Sequence, residues 1–221
     1  MSFNIAIDGP AGAGKSTIAK QVSAKLGYIY VDTGAMYRAM ALFLIREGVS
    51  PEDQESVGKR SQDADISIKY ENGEQVVLLN GENVNGLIRT EEVGNMASAT
   101  SVNGDLRKKL VELQQKLAAT ENVVMDGRDI GTVVLPGAQL KVYLTASVEV
   151  RADRRYKELT EKGVDCDLEQ IKADIRDRDH RDMTREVSPL KQAEDAVLVD
   201  SSDMTIQEVI DRILELAKER S

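Results

Sequence analysis

The 221-residue chain has no tryptophan and only two phenylalanines, so aromatic side chains can contribute little to its core. Apolar residues still make up 41% of the sequence, which predicts a core of Leu, Ile, Val and Ala. The single cysteine, Cys166, excludes an internal disulfide, and no Cys/His set has the spacing of metal ligands. This use of cysteine is typical of proteins from the reducing cytoplasm.

Positive charge is also in short supply, because 29 Lys and Arg face 38 Asp and Glu, giving a formal net charge of -9. That balance argues against a nucleic acid polymer as partner, since such binding depends on neutralising many phosphates. A small anionic substrate needs only a local cluster of cations. No apolar run approaches the roughly 18 residues of a membrane span, and no basic and then apolar leader opens the sequence. We expect a cytoplasmic monomer that does not bind a membrane.

Strand-like and helix-like segments alternate along most of the chain, which predicts an α/β fold with a mainly parallel sheet flanked by helices. In the middle, the segments ISIKY and EQVVLLNGENV have the pattern of short antiparallel strands. Turns are expected between them at Asn72-Gly73 and Asn80-Gly81. We therefore predict a small antiparallel insert over about residues 63–89. A helix start is also expected at Ser50, with Pro51 as the first helical residue.

The segment GPAGAGKST follows the apolar strand FNIAID and precedes a helical pattern. Gly9, Gly14, Lys15 and Ser16 fit the phosphate-binding pattern G-x-x-x-x-G-K-[ST] in its required strand and helix context. The backbone N–H groups of such a loop surround a β-phosphate, while Lys15 reaches the β- and γ-oxygens. The Ser16 hydroxyl is a candidate ligand of Mg²⁺. The motif predicts nucleotide binding but leaves the reaction open.

Three uses of a bound nucleotide remain: a hydrolytic switch, mechanical work, and transfer of a phosphoryl group to a small acceptor. A guanine-reading N-K-x-D tetrapeptide is absent from the sequence, which argues against a GTPase switch. Motor ATPases usually need a larger chain. Arg and Asp residues at predicted strand ends and loops favour transfer, because an anionic acceptor needs its own cations.

Two of these Arg and Asp sets follow predicted strands. In VDTGAMYR, Thr33 and Arg38 lie at the carboxyl end of a strand, where open parallel sheets bind ligands, although Thr33 could also cap a helix. In DGRD, Asp126 ends a buried strand at the position where P-loop enzymes place a carboxylate near Mg²⁺. Arg128 and Asp129 then leave the sheet at the same edge. An Asx turn would explain Asp126 alone.

Two predicted helices are rich in arginine. Arg178, Asp182 and Arg185 are spaced i, i+4, i+7 and share one helical face, although a solvated helix with internal ion pairs has the same pattern. An earlier group has the spacing i, i+3, i+4, which predicts that its guanidinium groups point one way; it comprises Arg151, Arg154 and Arg155. We interpret the two helices as a lid that closes over phosphates.

These motifs together resemble the bacterial cytidylate kinases, a family of nucleoside monophosphate kinases. The resemblance extends over essentially the whole chain, from IDGPAGAGKST through DTGAMYR, the NGE-containing insert and DGRDIGTVV to RDHRDMTREVSPL. It implies transfer of a phosphoryl group from MgATP to CMP or dCMP. It also implies three regions: a core of residues 1–34, 120–150 and 190–221, a monophosphate-binding region of residues 35–119, and a lid of residues 151–189.

The resemblance also assigns roles by position. The donor phosphates would contact the loop, that is Gly9, Gly12, Ala13, Gly14, Lys15, Ser16 and Thr17. Arg154 is a further candidate from the lid pattern, which leaves open which of Arg151, Arg154 and Arg155 contacts the transferred phosphate. Magnesium would be held by Ser16 and by Asp126, the latter directly or through water. The acceptor phosphate would be bound by Thr33, Arg38, Arg128 and Arg185. The ribose would contact Arg178 and Asp182. The cytosine would be read by Ser98, Arg107 and Asp129. The catalytic group would be Lys15, Arg128, Asp129 and Arg185.

Two alternatives stay open at this stage. One is a P-loop kinase for another small acceptor, such as UMP, dTMP or shikimate. The other is a protein that binds ATP as a switch and has no acceptor. The sequence also leaves open the choice between CMP and dCMP and between ATP and GTP.

Overall fold

The computed structural model describes residues 2–71 and 73–220, and this part of the chain contains eight strands and eight α-helices. In chain order they are β1 (Asn4–Asp8), α1 (Lys15–Leu26), β2 (Ile29–Asp32), α2 (Thr33–Arg46), α3 (Gln54–Ser61), β3 (Ile66–Glu71), β4 (Glu74–Leu79), β5 (Glu82–Asn83), α4 (Glu91–Thr100), α5 (Gly104–Thr120), β6 (Val123–Gly127), a π-helical turn (Ile130–Val134), β7 (Leu140–Thr145), α6 (Val148–Glu161), α7 (Leu168–Thr184), β8 (Val197–Asp200) and α8 (Ile206–Glu219).

The chain divides into two units. The first contains Phe3–Tyr28 and the chain from Val123 onward, and the second contains Ile29–Asn122. The sequence predicts three regions instead: a core, a monophosphate-binding region and a lid. Their bounds differ from those of the two units, and the three regions stay a prediction.

Parallel strands form the centre of the first unit, in the order β6, β1, β7, β8. Their apolar side chains are buried: Ile5, for example, lies opposite Val124 on one side and Leu140 on the other, and all three are fully buried. Helix α1 packs against β6 and α8. The predicted α/β class with a parallel sheet and flanking helices is confirmed.

Antiparallel strands distinguish the second unit, in the order β3, β4, β5. The predicted turn between β4 and β5 is confirmed, because Asn80 and Gly81 both have positive φ angles of 50° and 82°. In the β3–β4 hairpin Glu71 pairs with Glu74, but Asn72 of the other predicted turn lies outside the described residues. The antiparallel insert is therefore present where the sequence predicts it.

The helix start predicted at Ser50 is wrong. Helix α3 begins at Gln54, and the Asp53 carboxylate caps it by accepting the N–H of Ser56 at 3.0 Å. The Ser50 hydroxyl donates to the Glu52 carboxylate and accepts the N–H of Glu52 at 3.4 Å, but no helix begins at residue 51, so Ser50 is not a helix cap. A carboxylate is at least as good a cap as a hydroxyl, and Asp53 therefore determines where the helix begins.

Aliphatic residues fill the core, as the scarcity of aromatic residues predicts, but methionines contribute more than expected. Met36, Met40 and Met125 are completely buried. None of the helices in the described part of the chain is long and apolar enough to cross a membrane.

Candidate active site

The glycine loop connects β1 to α1 in the first unit. Gly9 has a φ of +150°, and a Cβ there would lie 1.9 Å from the carbonyl oxygen of Leu144, so only glycine fits. Gly14 is left-handed, with a φ of +85°, and it precedes the first helical residue without a side chain to cap the helix. In the described part of the chain, each of the helices α2 to α8 has a side-chain cap. The first N–H groups of α1 therefore suit an external anion.

Lys15 is the cation of this loop. Its side chain is buried, and its ammonium group donates to the carbonyl oxygen of Pro10 at 2.7 Å. Burial and then the positive charge of Arg128 lower the pKa of Lys15 well below its ordinary value, while Asp126 and other carboxylates act in the opposite direction. Because the surroundings of a buried cation have a lower effective dielectric constant than water, a phosphate bound beside Lys15 would interact with it more strongly than in solution.

Ser16 and Asp126 meet beside the loop. The Ser16 hydroxyl donates to a carboxylate oxygen of Asp126 at 2.9 Å, because parallel pairing of β1 with β6 places Asp126 next to Ile7. Hydroxyl and carboxylate oxygens are ligands that Mg²⁺ accepts, and Mg²⁺ often shares its coordination with substrate phosphates. No group of three or more His, Cys, Asp or Glu residues able to hold a metal occurs among residues 2–71 and 73–220. The oxygen atoms of the two side chains fit a Mg²⁺ that shares its coordination with phosphates.

Asp182 on α7 contacts Arg128 and Arg185, two of the predicted arginines of the first unit. Arg128 Nε donates to one of its oxygens at 2.8 Å, and Arg185 Nη1 lies 3.9 Å from the other. Burial alone would raise the pKa of Asp182, but the charges of Arg128, Arg178 and Arg185, with the Arg128 hydrogen bond, hold it below its ordinary value. The DGRD loop and the arginine face of α7 therefore lie together, although 54 residues separate Arg128 from Asp182.

Asp129 is buried and stands immediately before the π-helical turn. Its carbonyl oxygen accepts the N–H groups of Val133 at 2.8 Å and Val134 at 3.2 Å, while its side chain makes no capping hydrogen bond. Nothing in the sequence predicts this turn, which is of a type often found at functional sites.

Asp8, the last residue of β1, contacts the loop that follows Asp129, and it is not among the residues predicted from the sequence. It is buried, and its carboxylate accepts the N–H of Ile130 at 2.8 Å and the N–H of Gly131 at 2.7 Å. Burial raises the pKa of Asp8 to about 6, although these two hydrogen bonds oppose the shift. The only signal in the sequence is an acidic residue that ends an apolar strand directly before Gly9.

The three arginines of α6 do not point one way, so that prediction is wrong. Arg151 is buried, and it donates to the carbonyl oxygen of Ala11 at 2.9 Å and to the Asp179 carboxylate at 2.6 Å. Arg154 donates to the carbonyl oxygen of Ser201 at 2.9 Å. The exposed Arg155 pairs with Glu158 on its own helix. Long side chains turn toward the nearest acceptor, so helical spacing alone does not align them; contact of Arg154 with a nucleotide stays a prediction.

The second unit holds the other predicted residues. Thr33 is the first residue of α2, but Asp32 caps that helix by accepting the N–H of Ala35 at 2.9 Å, so Thr33 is not the cap. Arg38 donates to the carbonyl oxygens of Ile88 at 3.1 Å and Thr90 at 3.3 Å. The described contacts therefore orient Arg38 rather than leaving it as a freely solvated side chain.

Ser98 and Arg107 are linked through one residue. Arg107 is buried, stacks over the Tyr37 ring at 5.3 Å from its centroid, and donates to the carbonyl oxygen of Ser101 at 3.0 Å. The Ser101 hydroxyl donates in turn to the carbonyl oxygen of Ser98 at 2.9 Å. Through Ser101, the structure thus links the Arg107 side chain to the backbone of Ser98, two of the three residues predicted to read a base.

The parallel sheet, the glycine loop and the buried lysine define the class of P-loop nucleotide-binding proteins. Residues 5–219 match the family model described as cytidylate kinase, and the chain belongs to this family. A cytidylate kinase from Caldicellulosiruptor bescii is 51% identical over 214 residues, which are 97% of this chain and 95% of that protein. A cytidylate kinase from Shouchella clausii is 49% identical over 219 residues, covering 99% and 97% of the two chains.

Solved structures support the fold alone, because their sequence identities are low. A gluconokinase from Sinorhizobium meliloti has a TM-score of 0.50 at 13% identity, over 98% of this chain and 92% of its own. An uncharacterized protein from Eubacterium ventriosum has a TM-score of 0.56 at 11% identity, over 99% of this chain and 100% of its own.

Proposed function

We propose that this chain transfers the γ-phosphoryl group of ATP to CMP or dCMP, giving ADP and CDP or dCDP. Membership of the cytidylate kinase family supports this reaction. The observation in the structure that carries it is the arginine cluster around Asp182, which lies in the same unit as the glycine loop. A protein that only bound or hydrolysed ATP would not need this second group of cations, in which Arg128 is half-buried.

The glycine loop would hold the donor. Its N–H groups and Lys15 suit the β- and γ-phosphates of ATP, and the residues proposed to contact ATP are Gly9, Gly12, Ala13, Gly14, Lys15, Ser16, Thr17 and Arg154. When bound, Mg²⁺ would neutralise phosphate charge, with Ser16 as a ligand and Asp126 as a ligand directly or through water. The hydrogen bond between these two side chains supports that assignment.

The acceptor phosphate would be bound by cations. Arg128 and Arg185 already face the carboxylate of Asp182, so a phosphate would compete with that carboxylate for the same donors. The residues proposed for the acceptor phosphate are Thr33, Arg38, Arg128 and Arg185. Arg178 and Asp182 are proposed to contact the ribose.

Ser98, Arg107 and Asp129 are proposed to read cytosine. The base presents acceptors at O2 and N3 and an amine donor at N4, so an arginine and a carboxylate complement it. Uracil has a carbonyl oxygen in place of the amine. A buried carboxylate that faces this oxygen is left unpaired, which favours cytosine.

Catalysis would depend on position and charge. Phosphoryl transfer needs little proton chemistry, and cations beside the transferred group supply most of the stabilisation. Lys15 and the lid arginines are proposed to provide these charges, while Arg38, Arg128 and Arg185 bring the acceptor oxygen into line. Asp129 is proposed to assist as a further catalytic residue. Location in the cytoplasm and action as a monomer stay predictions from the sequence.

A panel of acceptors tests the proposed function. ADP release from MgATP is measured with CMP, dCMP, UMP, dTMP and shikimate, and with no acceptor. We expect CMP and dCMP to stimulate ADP release most strongly. If none of the five acceptors raises the rate above that of ATP alone, the kinase assignment is wrong and a switch protein is favoured.

Substitution of Asp129 by Asn tests how the base is read. The amide replaces one of the two acceptor oxygens by an NH₂ donor and removes the negative charge that strengthens a hydrogen bond from the N4 amine. A buried group left unpaired costs about 1 to 3 kcal/mol. We expect kcat/KM for CMP to fall roughly 5- to 150-fold, since about 1.4 kcal/mol corresponds to a factor of ten, and that for UMP to fall less. Equal losses for the two acceptors would contradict the role of Asp129 in reading the base.

A further inference from the structure

The first N–H groups of the π-helical turn after Asp129 are bound by a residue from a distant part of the sequence. A helical turn exposes its first N–H groups, and the residue in front usually caps them with its side chain. Asp129 occupies that position but makes no capping hydrogen bond with its side chain. The N–H groups of Ile130 and Gly131 donate instead to the two carboxylate oxygens of Asp8, 122 and 123 residues away.

Asp8 also adjoins the donor loop, because Gly9 is the next residue and is fixed against the carbonyl oxygen of Leu144. One buried carboxylate thus connects the start of the glycine loop with the loop that carries Arg128 and Asp129. We propose that Asp8 is a positioning residue that holds Arg128 and Asp129 in place for the acceptor nucleotide. This inference rests on the proposed function.

The surroundings of Asp8 favour a fixed geometry. A Cβ at Gly131 would lie 3.3 Å from a carboxylate oxygen of Asp8 and 3.1 Å from the Lys141 side chain, so glycine allows the close approach. The charged groups that act on Asp8 are Asp129, which opposes its ionisation, and Lys15, which favours it. With a pKa of about 6, the carboxylate is mostly ionised at pH 7 and can accept both hydrogen bonds.

Substitution of Asp8 by Asn tests the proposal. Asparagine has nearly the same size, but its NH₂ group cannot accept the second N–H. We expect kcat/KM for CMP to fall by up to about 100-fold, as a small misplacement in an active site can cause. The preference for CMP over UMP should narrow as well, because Asp129 is proposed to read the base. The Kd of a fluorescent ATP analogue should stay within about twofold of the wild-type value, because the loop N–H groups and Lys15 are unchanged.

Two further variants serve as controls. Asp53→Asn changes a carboxylate that caps α3 through the N–H of Ser56, and it should leave both nucleotide constants unchanged. Gly131→Ala adds a methyl group close to the Asp8 carboxylate, so it should disturb the hydrogen bonds between Asp8 and the turn and cause the same selective loss with CMP. It keeps the test decisive if Asp8→Asn fails to fold.

The hydrogen bonds themselves provide a readout independent of turnover. In Asp8→Asn, amide exchange at Ile130 or Gly131 should accelerate, whereas Val134, whose N–H donates to Asp129 within the turn, should change less. Unchanged CMP kinetics in Asp8→Asn, or equal losses for CMP and ATP, would overturn the positioning role while leaving the kinase assignment intact. Failure of the wild-type protein to phosphorylate any monophosphate would overturn the kinase assignment and the role of Asp8 with it.

Discussion

Charged side chains occupy two different environments within the first unit. Near the glycine loop, Arg151 and Asp179 pair with only 4% and 12% of their side chains exposed. One turn further along the same helix, Arg155 and Glu158 pair with 50% and 46% exposed. The two arginines are four residues apart and have the same chemistry, but their partners differ in burial.

The two ion pairs therefore differ in how much they stabilise the protein, although sequence spacing alone does not distinguish Arg151 from Arg155. A buried pair pays a large desolvation cost and becomes strongly destabilising when one partner is removed. An exposed pair is screened by water and salt and contributes little. Arg151 also donates to the carbonyl oxygen of Ala11, so its contacts connect α6 and α7 to the glycine loop.

The largest loss of unfolding free energy is expected when the buried arginine, Arg151, is replaced by methionine. Arg151→Met leaves the Asp179 carboxylate buried without its cation, and breaking such a pair costs about 3 to 5 kcal/mol of unfolding free energy. The matched change Arg155→Met should cost less than about 1 kcal/mol. Urea denaturation of both variants measures these values. Equal losses would show that burial does not separate the two sites.

A smaller effect concerns pH and Asp8. The pKa of Asp8 is about 6 in the folded protein, compared with 3.8 for an aspartate exposed to water as in the unfolded chain. The folded state therefore binds this proton more tightly than the unfolded state does. The resulting contribution to the free energy of unfolding falls as the pH rises between about 4 and 6. Relative to Asp8→Asn, the wild-type protein should therefore gain about 1 kcal/mol in unfolding free energy from pH 7 to pH 5. Denaturation at both pH values tests this. A difference between the two proteins that does not change with pH would contradict the raised pKa.

The smallest effect is expected at the exposed end of the comparison. Glu158 accepts hydrogen bonds from Lys162 at 2.6 Å and Arg155 at 2.8 Å, and these contacts lower its pKa. Glu158→Gln should cost no more than about 1 kcal/mol at low salt. The loss should vanish in 1 M NaCl, where the screening length is about 3 Å. A loss that persists in high salt would indicate a packing role for Glu158.

Most of the fold could be predicted from the sequence, because strands, helices and turns depend on residues close together in the chain. The turn at Asn80-Gly81 is an example. The start of α3 was predicted wrongly because two local caps, Ser50 and Asp53, compete within four residues. Which of the two residues caps the helix depends on side-chain contacts such as the one between Ser50 and Glu52.

Part of the candidate site could be predicted for the same reason. Lys15 and Ser16 belong to one continuous motif, and Arg178 and Asp182 are one turn apart on α7. Arg185 was predicted on the same helical face, but α7 ends at Thr184 and Arg185 is extended. Arg155 pairs with Glu158 on its own helix. The directions of Arg151 and Arg154 could not be predicted, because their partners come from distant segments. Asp179, Ser201 and Ala11 attract them only after the chain has folded.

The sequence by itself determined the parallel α/β class, the phosphate loop and the antiparallel insert, since periodicity and turn chemistry act over a few neighbouring residues. The tertiary structure alone decided that Arg151 is buried, that Arg128 meets Asp182, and that Asp8 caps the turn after Asp129. Parallel pairing of β1 with β6 places Asp8 beside Gly127. Contacts across such a register depend on the whole sheet, and no local pattern in either strand encodes them.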